Sequence, residues 1–116
     1  MHIGELAERT GLSLRSIRHY DEVGLLPGTE RTEGGFRVFS EADYGRLLTI
    51  MQLKPMGFAL DEMPAVLDVL EGRRADSGEV AGLLERSRGM RDRLARQLAA
   101  AEDVVRRLED LGRATG

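Results

Sequence analysis

Apolar residues recur along this chain first at helical spacing, then in a brief alternation, then at helical spacing again, and these changes of period mark its elements. In "IGELAER", residues 3–9, Ile3, Leu6 and Ala7 share one face, which predicts a short helix. Thr10-Gly11 interrupts it, because Gly adopts the positive φ of a tight turn at little cost. Ser13 is a good N-cap for a second helix running to about Val23, with Leu14 and Ile17 turned toward a core. Gly24 stops that helix. In "TERTEGGFRVFS", Glu33-Gly34-Gly35 is a turn signal and "FRVF" alternates like a short strand. A small hairpin, or wing, is expected over about residues 29–39.

Ser40 opens a third helix, and "SEAD" resembles a capping box with Asp43 in place of the usual Glu or Gln. Leu47, Leu48, Ile50, Met51 and Leu53 supply its apolar face, and Pro55 and Gly57 end it. A fourth helix is expected over roughly 61–71, with Asp61 as N-cap and Met63, Val66, Leu67 and Leu70 inward. Pro64 then falls in the first turn, where no intrahelical donor is lost.

After a polar connector at 73–78, residues 79–111 read as one helix of about 50 Å. Its apolar positions step by four and three through Val80, Leu84, Leu94, Leu98, Ala101, Val105 and Leu108. Ser87 and Arg91 interrupt the register, so this is a coiled-coil seam with a weak middle. Gly82 and Gly89 each weaken the helix by about 1 kcal/mol relative to Ala. A helix this long and exposed needs a partner, and a second copy of the chain is the expected one. Three parts follow: a head over 1–72, the connector, and a dimerisation helix over 79–112.

At 116 residues, 41% hydrophobic and 32% charged, the chain suits one domain with an appended helix. A net charge of −3 argues against a globally basic nucleic-acid binder but leaves room for a local basic patch. The absence of Cys excludes disulfides, thiolate metal sites and cysteine nucleophiles. His2 and His19 are too isolated to form a metal site, so no metal and no cofactor is expected. Met51, Met56 and Met63 sit in apolar surroundings and are expected to pack. The carboxylates lie on predicted solvated faces without a converging acid, base or nucleophile, and no enzyme is expected. No apolar run is long enough to span a membrane, and a cytoplasmic, nucleoid-associated protein is expected.

The candidate chemistry lies in "LSLRSIRHYDEVGLL". Arg15, Arg18, His19 and Glu22 fall at i, i+3, i+4 and i+7, on one helix face. Helix, Gly-containing turn, helix is the helix-turn-helix layout, whose second helix enters a major groove. Phosphate neutralisation supplies affinity there, and bidentate Arg contacts to guanine supply sequence choice. Two other readings stay open: an adaptor whose near-neutral head binds protein, and a ligand-independent architectural DNA binder.

Together "IGELAERTGLSLRSIRHYDEVGLLPG", "RTEGGFRVFSEADYGRLLTI" and "MGFALDEM", followed by the long helix, resemble the MerR family of bacterial transcription regulators. The resemblance covers nearly the whole chain. It implies a mainly α fold: a winged helix-turn-helix head, two supporting helices, and a long C-terminal helix forming an antiparallel coiled-coil dimer. It also implies a homodimer on pseudo-palindromic double-stranded promoter DNA, which it distorts, with RNA polymerase at the promoter as a further partner.

Residue by residue, Arg18 and Tyr20 match the family's DNA contacts from the recognition helix, and His19 replaces the first Tyr of the usual pair. Arg31 and Arg37 match the basic residues of the wing; Phe36 and Phe39 stand at positions that are commonly Tyr, so two phenolic hydroxyls are missing. The expected DNA-contacting set is Ser13, Arg15, Arg18, His19, Tyr20, Arg31 and Arg37. Metal- and redox-sensing members carry Cys near the end of the coiled coil, and this chain has none. Multidrug-sensing members add a large effector domain, whereas this chain stops at Gly116. Any effector is therefore expected to be an unidentified small molecule, and no residue cluster marks its pocket.

Overall fold

A computed structural model gives the structure of the chain and describes residues 1–27, 34–73 and 76–115. Among them run five α-helices: α1 (Ile3–Thr10), α2 (Leu14–Glu22), α3 (Glu41–Leu53), α4 (Met63–Leu70) and α5 (Ser77–Thr115). The chain divides into two compact units, Met1–Arg74 and Ala75–Gly116.

In the first unit the turn between α1 and α2 is built by two residues. Gly11 adopts a φ of 76° and donates its N–H to the Ala7 carbonyl at 2.8 Å, which closes α1. Buried Thr10 donates its hydroxyl to the Leu6 carbonyl at 2.8 Å and accepts the Leu12 N–H at 3.2 Å. The chain then starts α2 at Ser13, whose hydroxyl accepts the Ser16 N–H at 3.1 Å. At its far end, Gly24 donates to the Asp21 carbonyl at 3.1 Å and Leu25 to the Tyr20 carbonyl at 3.0 Å. This Schellman closure turns Leu25 and Leu26 into the interior.

The capping box of α3 forms as expected. The Ser40 hydroxyl accepts the Asp43 N–H at 3.2 Å, and Asp43 Oδ2 accepts the Ser40 N–H at 2.8 Å. Helix α1 packs on α2 and α3, and α3 packs on α4. Leu6, Ile17, Leu25, Leu47, Ile50, Met63 and Leu67 form the centre of the core. Arg46 lies among them, 9% exposed. Its Nε donates to Glu71 Oε1 and its Nη1 to the Leu25 carbonyl, both at 2.7 Å. One guanidinium thus ties α3 to the end of α4 and to the chain leaving α2.

Leu14 is exposed, because Ile17 and Tyr20 form the covered side of α2, on which α1 packs. Leu48 and Met51 are exposed on α3, since Asp43, Arg46, Leu47, Ile50 and Leu53 already fill its single inward stripe. Leu70, in the last turn of α4, is also exposed.

The fourth helix does not begin at Asp61. A 3-10 turn, Leu60–Glu62, precedes α4, and Glu62 Oε1 accepts the Ala59 N–H at 2.8 Å. Pro64 does fall in the first turn. No strand forms among the described residues of the wing, where Arg37 makes only a single bridge. Beyond it the backbone pairs elsewhere: Phe39 donates its N–H to the Met1 carbonyl at 2.6 Å. The other arm of the expected hairpin, with Arg31, lies outside the described residues.

The second unit is α5, 39 residues and about 58 Å long at the standard rise. It starts at Ser77, earlier than expected, because Asp76 Oδ1 accepts the N–H groups of Gly78 and Glu79 at 2.8 and 3.3 Å. On its polar side Arg106 and Arg107 each approach Asp103 at 3.7 Å. On its apolar side Val80, Leu84, Leu94, Leu98, Val105 and Leu108 are all exposed, and no residue of the helix is buried. No helix among the described residues is long and apolar enough to cross a membrane.

Candidate nucleic-acid interface

Helix α2 has a buried stripe of Ile17 and Tyr20 and an opposite side on which Arg15, Arg18 and His19 are exposed. The turn at Gly11 and the Ser13 cap fix where that side begins. The cations do not form one line. Arg18 faces a cavity of about 530 Å³ shared with His2, Ile3, Phe36 and Phe39. Arg15 and His19, one turn apart, line a second cavity of about 320 Å³ with Ser16, Tyr20, Lys54, Phe58, Leu60 and Met63.

Lys54, outside the expected DNA-contacting set, is exposed. Sequence spacing holds no signal for it, since 35 positions separate it from His19. Only the tertiary arrangement of the first unit brings Lys54, at the end of α3, to the same groove as Arg15 and His19.

Ser13 is exposed, but its hydroxyl is engaged in capping, accepting the Ser16 N–H and donating to Ser16 Oγ at 3.0 Å. Tyr20, expected on the DNA side, is 5% exposed. It follows Ile17 by three residues and so shares its buried stripe, and its ring packs inside the head. Phe36 is 69% exposed on the wing, beside Arg18.

Arg37 does not reach outward. Its Nη2 lies 2.5 Å from Asp21 Oδ1, with the two side chains 26% and 18% exposed, and the guanidinium stands 5.8 Å from the centre of the Phe39 ring. Arg31 lies outside the described residues.

A further cation is removed from the surface field by pairing. Arg9 donates to both carboxylate oxygens of Glu41, at 2.7 and 3.1 Å, and lies 4.0 Å over the Tyr44 ring. These hydrogen bonds, more than the charge alone, hold the Glu41 carboxyl below its ordinary range and raise Arg9. Among the described residues no group of three or more His, Asp or Glu is placed to hold a metal. The chemistry on offer is hydrogen-bond donation and positive charge, on a helix presented by a short turn. A helix-turn-helix with an exposed cationic second helix is the framework of DNA-binding regulators.

Comparison with known proteins agrees with that class. Residues 1–69 match the family model described as MerR HTH family regulatory protein. A mercuric resistance operon regulatory protein of Bacillus cereus is 34% identical over 111 residues, covering 96% of this chain and 74% of that protein. Nodulation protein NolA of Bradyrhizobium elkanii is 36% identical over 109 residues, 94% of this chain but 45% of its own length. Among solved structures, HiNmlR, a MerR family regulator lacking the sensor domain and bound to promoter DNA, is similar with a TM-score of 0.73 and 26% identity. That likeness covers 89% of this chain and 78% of the other.

The chain therefore belongs to the MerR family of helix-turn-helix transcription regulators, which are not enzymes. It spans most of the Bacillus cereus regulator and less than half of NolA.

Proposed function

We propose that the chain is a homodimeric, sequence-specific regulator that binds pseudo-palindromic promoter DNA and distorts it, with α2 of each head in a major groove. The observation that carries this reading is the side of α2 on which Arg15, Arg18 and His19 are exposed while Ile17 and Tyr20 are buried. A helix held in that way has its orientation fixed by packing and its donors directed outward. Arg15, Arg18, His19 and Lys54 form the contacting set, and Arg31 of the wing joins it. Ser13 serves by setting the helix start.

The head over 1–72 is the DNA-binding part, and 73–78 connects it to the dimerisation helix over 79–112. The seam from Val80 to Leu108 supports antiparallel pairing of two such helices, because its apolar residues are exposed in one copy. RNA polymerase at the promoter is the proposed downstream partner. An effector, where one acts, is an unidentified small molecule that favours one arrangement of the two heads over the other.

The test is selection of duplexes by the purified protein from a random-sequence library. The expected result is an enriched motif with two inverted half-sites. Retained fragments without a shared motif would remove sequence specificity, and no retention at low salt would remove DNA binding altogether.

A further inference from the structure

Among the described residues one ion pair joins the wing to the recognition helix, and that pair has an electrostatic cost that a positioning role offsets. Asp21 lies three residues after Arg18, on the flank of α2 that faces the cavity beside the wing. A carboxylate there repels the phosphates that Arg18 attracts. In the structure its charge is cancelled by Arg37 at 2.5 Å, with both side chains largely covered. Among the described residues Asp21 is the only side-chain acceptor found for Arg37, whose Nε is buried without a hydrogen-bond partner. An arginine held in this way is nearly neutral toward a phosphate, since moving it outward would strand Asp21 beside the DNA.

Resting on the DNA-binding reading above, we propose that Asp21 and Arg37 are positioning residues and that Arg37 is not a phosphate contact. The pair holds the root of the wing against α2, so that wing and recognition helix meet the duplex in one register. Its contribution is therefore to sequence discrimination, while the count of neutralised phosphates is set by Arg15, Arg18, Lys54 and other exposed cations.

The experiment measures binding of the full chain to a duplex it has selected and to a scrambled duplex, each over a salt series. Arg37→Gln is expected to lower the specific-to-scrambled affinity ratio about tenfold, and its salt slope is not the readout because the stranded Asp21 carboxylate itself repels the DNA. Asp21→Asn should lower the ratio similarly but steepen the slope by about 0.9 per head, because the released guanidinium now reaches a phosphate. Asp21→Glu, which keeps the charge, should restore both.

A slope left unchanged in Asp21→Asn would mean that Arg37 already contacts a phosphate in the wild type and would overturn the proposal. An unchanged ratio in Asp21→Asn would overturn it as well. Should Asp21→Asn fail to fold, Asp21→Ser carries the same slope test. A wild-type protein that selects no duplex removes the DNA reading, and this inference with it; one that selects a duplex while both variants match it removes the inference only.

Discussion

Arginines have different roles in the first unit, and burial together with pairing separates them. Arg18 is exposed beside the wing, Arg9 is paired across the surface with Glu41, and Arg46 is 9% exposed with donors on Glu71 and Leu25. Replacing Arg18 by Ala should cost about 1–3 kcal/mol of binding to a selected duplex and relax preference at one base position. A loss uniform across sequences would identify a phosphate contact instead, and titration of single-base variants of the duplex separates the two.

Arg46→Met should cost roughly 2–4 kcal/mol of folding stability, because it leaves the Leu25 carbonyl without this donor and the Glu71 carboxylate with only Arg73, 3.6 Å away, as its cation among the described residues. Urea denaturation reads that cost as a lower midpoint at an unchanged slope.

The Arg9–Glu41 pair responds to pH with a definite sign. The Glu41 pKa is lowered in the folded state by the Arg9 hydrogen bonds, so its stabilisation is complete above the ordinary glutamate pKa. That stabilisation is lost as pH falls through the lowered value, while Arg9, raised, keeps its proton throughout. The stability difference between wild type and Glu41→Gln should therefore be present at neutral pH and shrink as pH falls below the ordinary glutamate pKa toward the lowered one. Both groups are solvent-exposed, so the difference is small, and thermal melts in low salt are the measurement that resolves it.

At the scale of elements, the helices differ in what ends them and what covers them. Helices α1 and α2 are set by Gly11, Ser13 and Gly24 through local hydrogen bonds, so their boundaries follow from nearby residues alone. Helix α4 is set by packing and by the Glu62 side chain, and its start departs from the expected Asp61.

Helix α5 carries Gly82 and Gly89 two positions beyond Val80 and Ser87, about 200° round the helix from the seam. A Cβ added at either meets nothing within 4 Å. Gly82→Ala and Gly89→Ala should each stabilise the helix by about 1 kcal/mol per protomer, with no change in assembly. Circular dichroism melts check the first part and light scattering the second. A fall in melting temperature would place a partner's surface against that side.

For the whole molecule, a net charge of −3 coexists with a cationic side on α2 because pairing removes other cations from view. Local charge rather than the total governs association with DNA, so affinity should fall steeply with salt. The same scale decides assembly. Leu98 and Val105, 60% and 52% exposed, lie on the seam of α5. Leu98→Glu combined with Val105→Glu places charge at the proposed dimer contact and should give a monomer by light scattering. A dimer of unchanged mass would mean that the seam is not the contact.

What the sequence determined by itself were features made by neighbours along the chain. The Gly11 turn, the Ser13 cap, the Ser40–Asp43 box and the apolar stripe of α5 depend on residues a few positions apart, and periodicity or capping chemistry exposes them. Tertiary structure decided the rest. Which side of an amphipathic helix is covered depends on what packs there, so Leu14, Leu48, Met51 and Leu70 proved exposed and Tyr20 buried. Partners far apart in sequence are invisible to any local pattern: Asp21 with Arg37, Arg46 with Glu71, Arg9 with Glu41, and Lys54 beside His19. Hydrophobic spacing says only that a surface must be buried. The geometry of packing chooses the surface that covers it, and with it which charges remain to meet DNA.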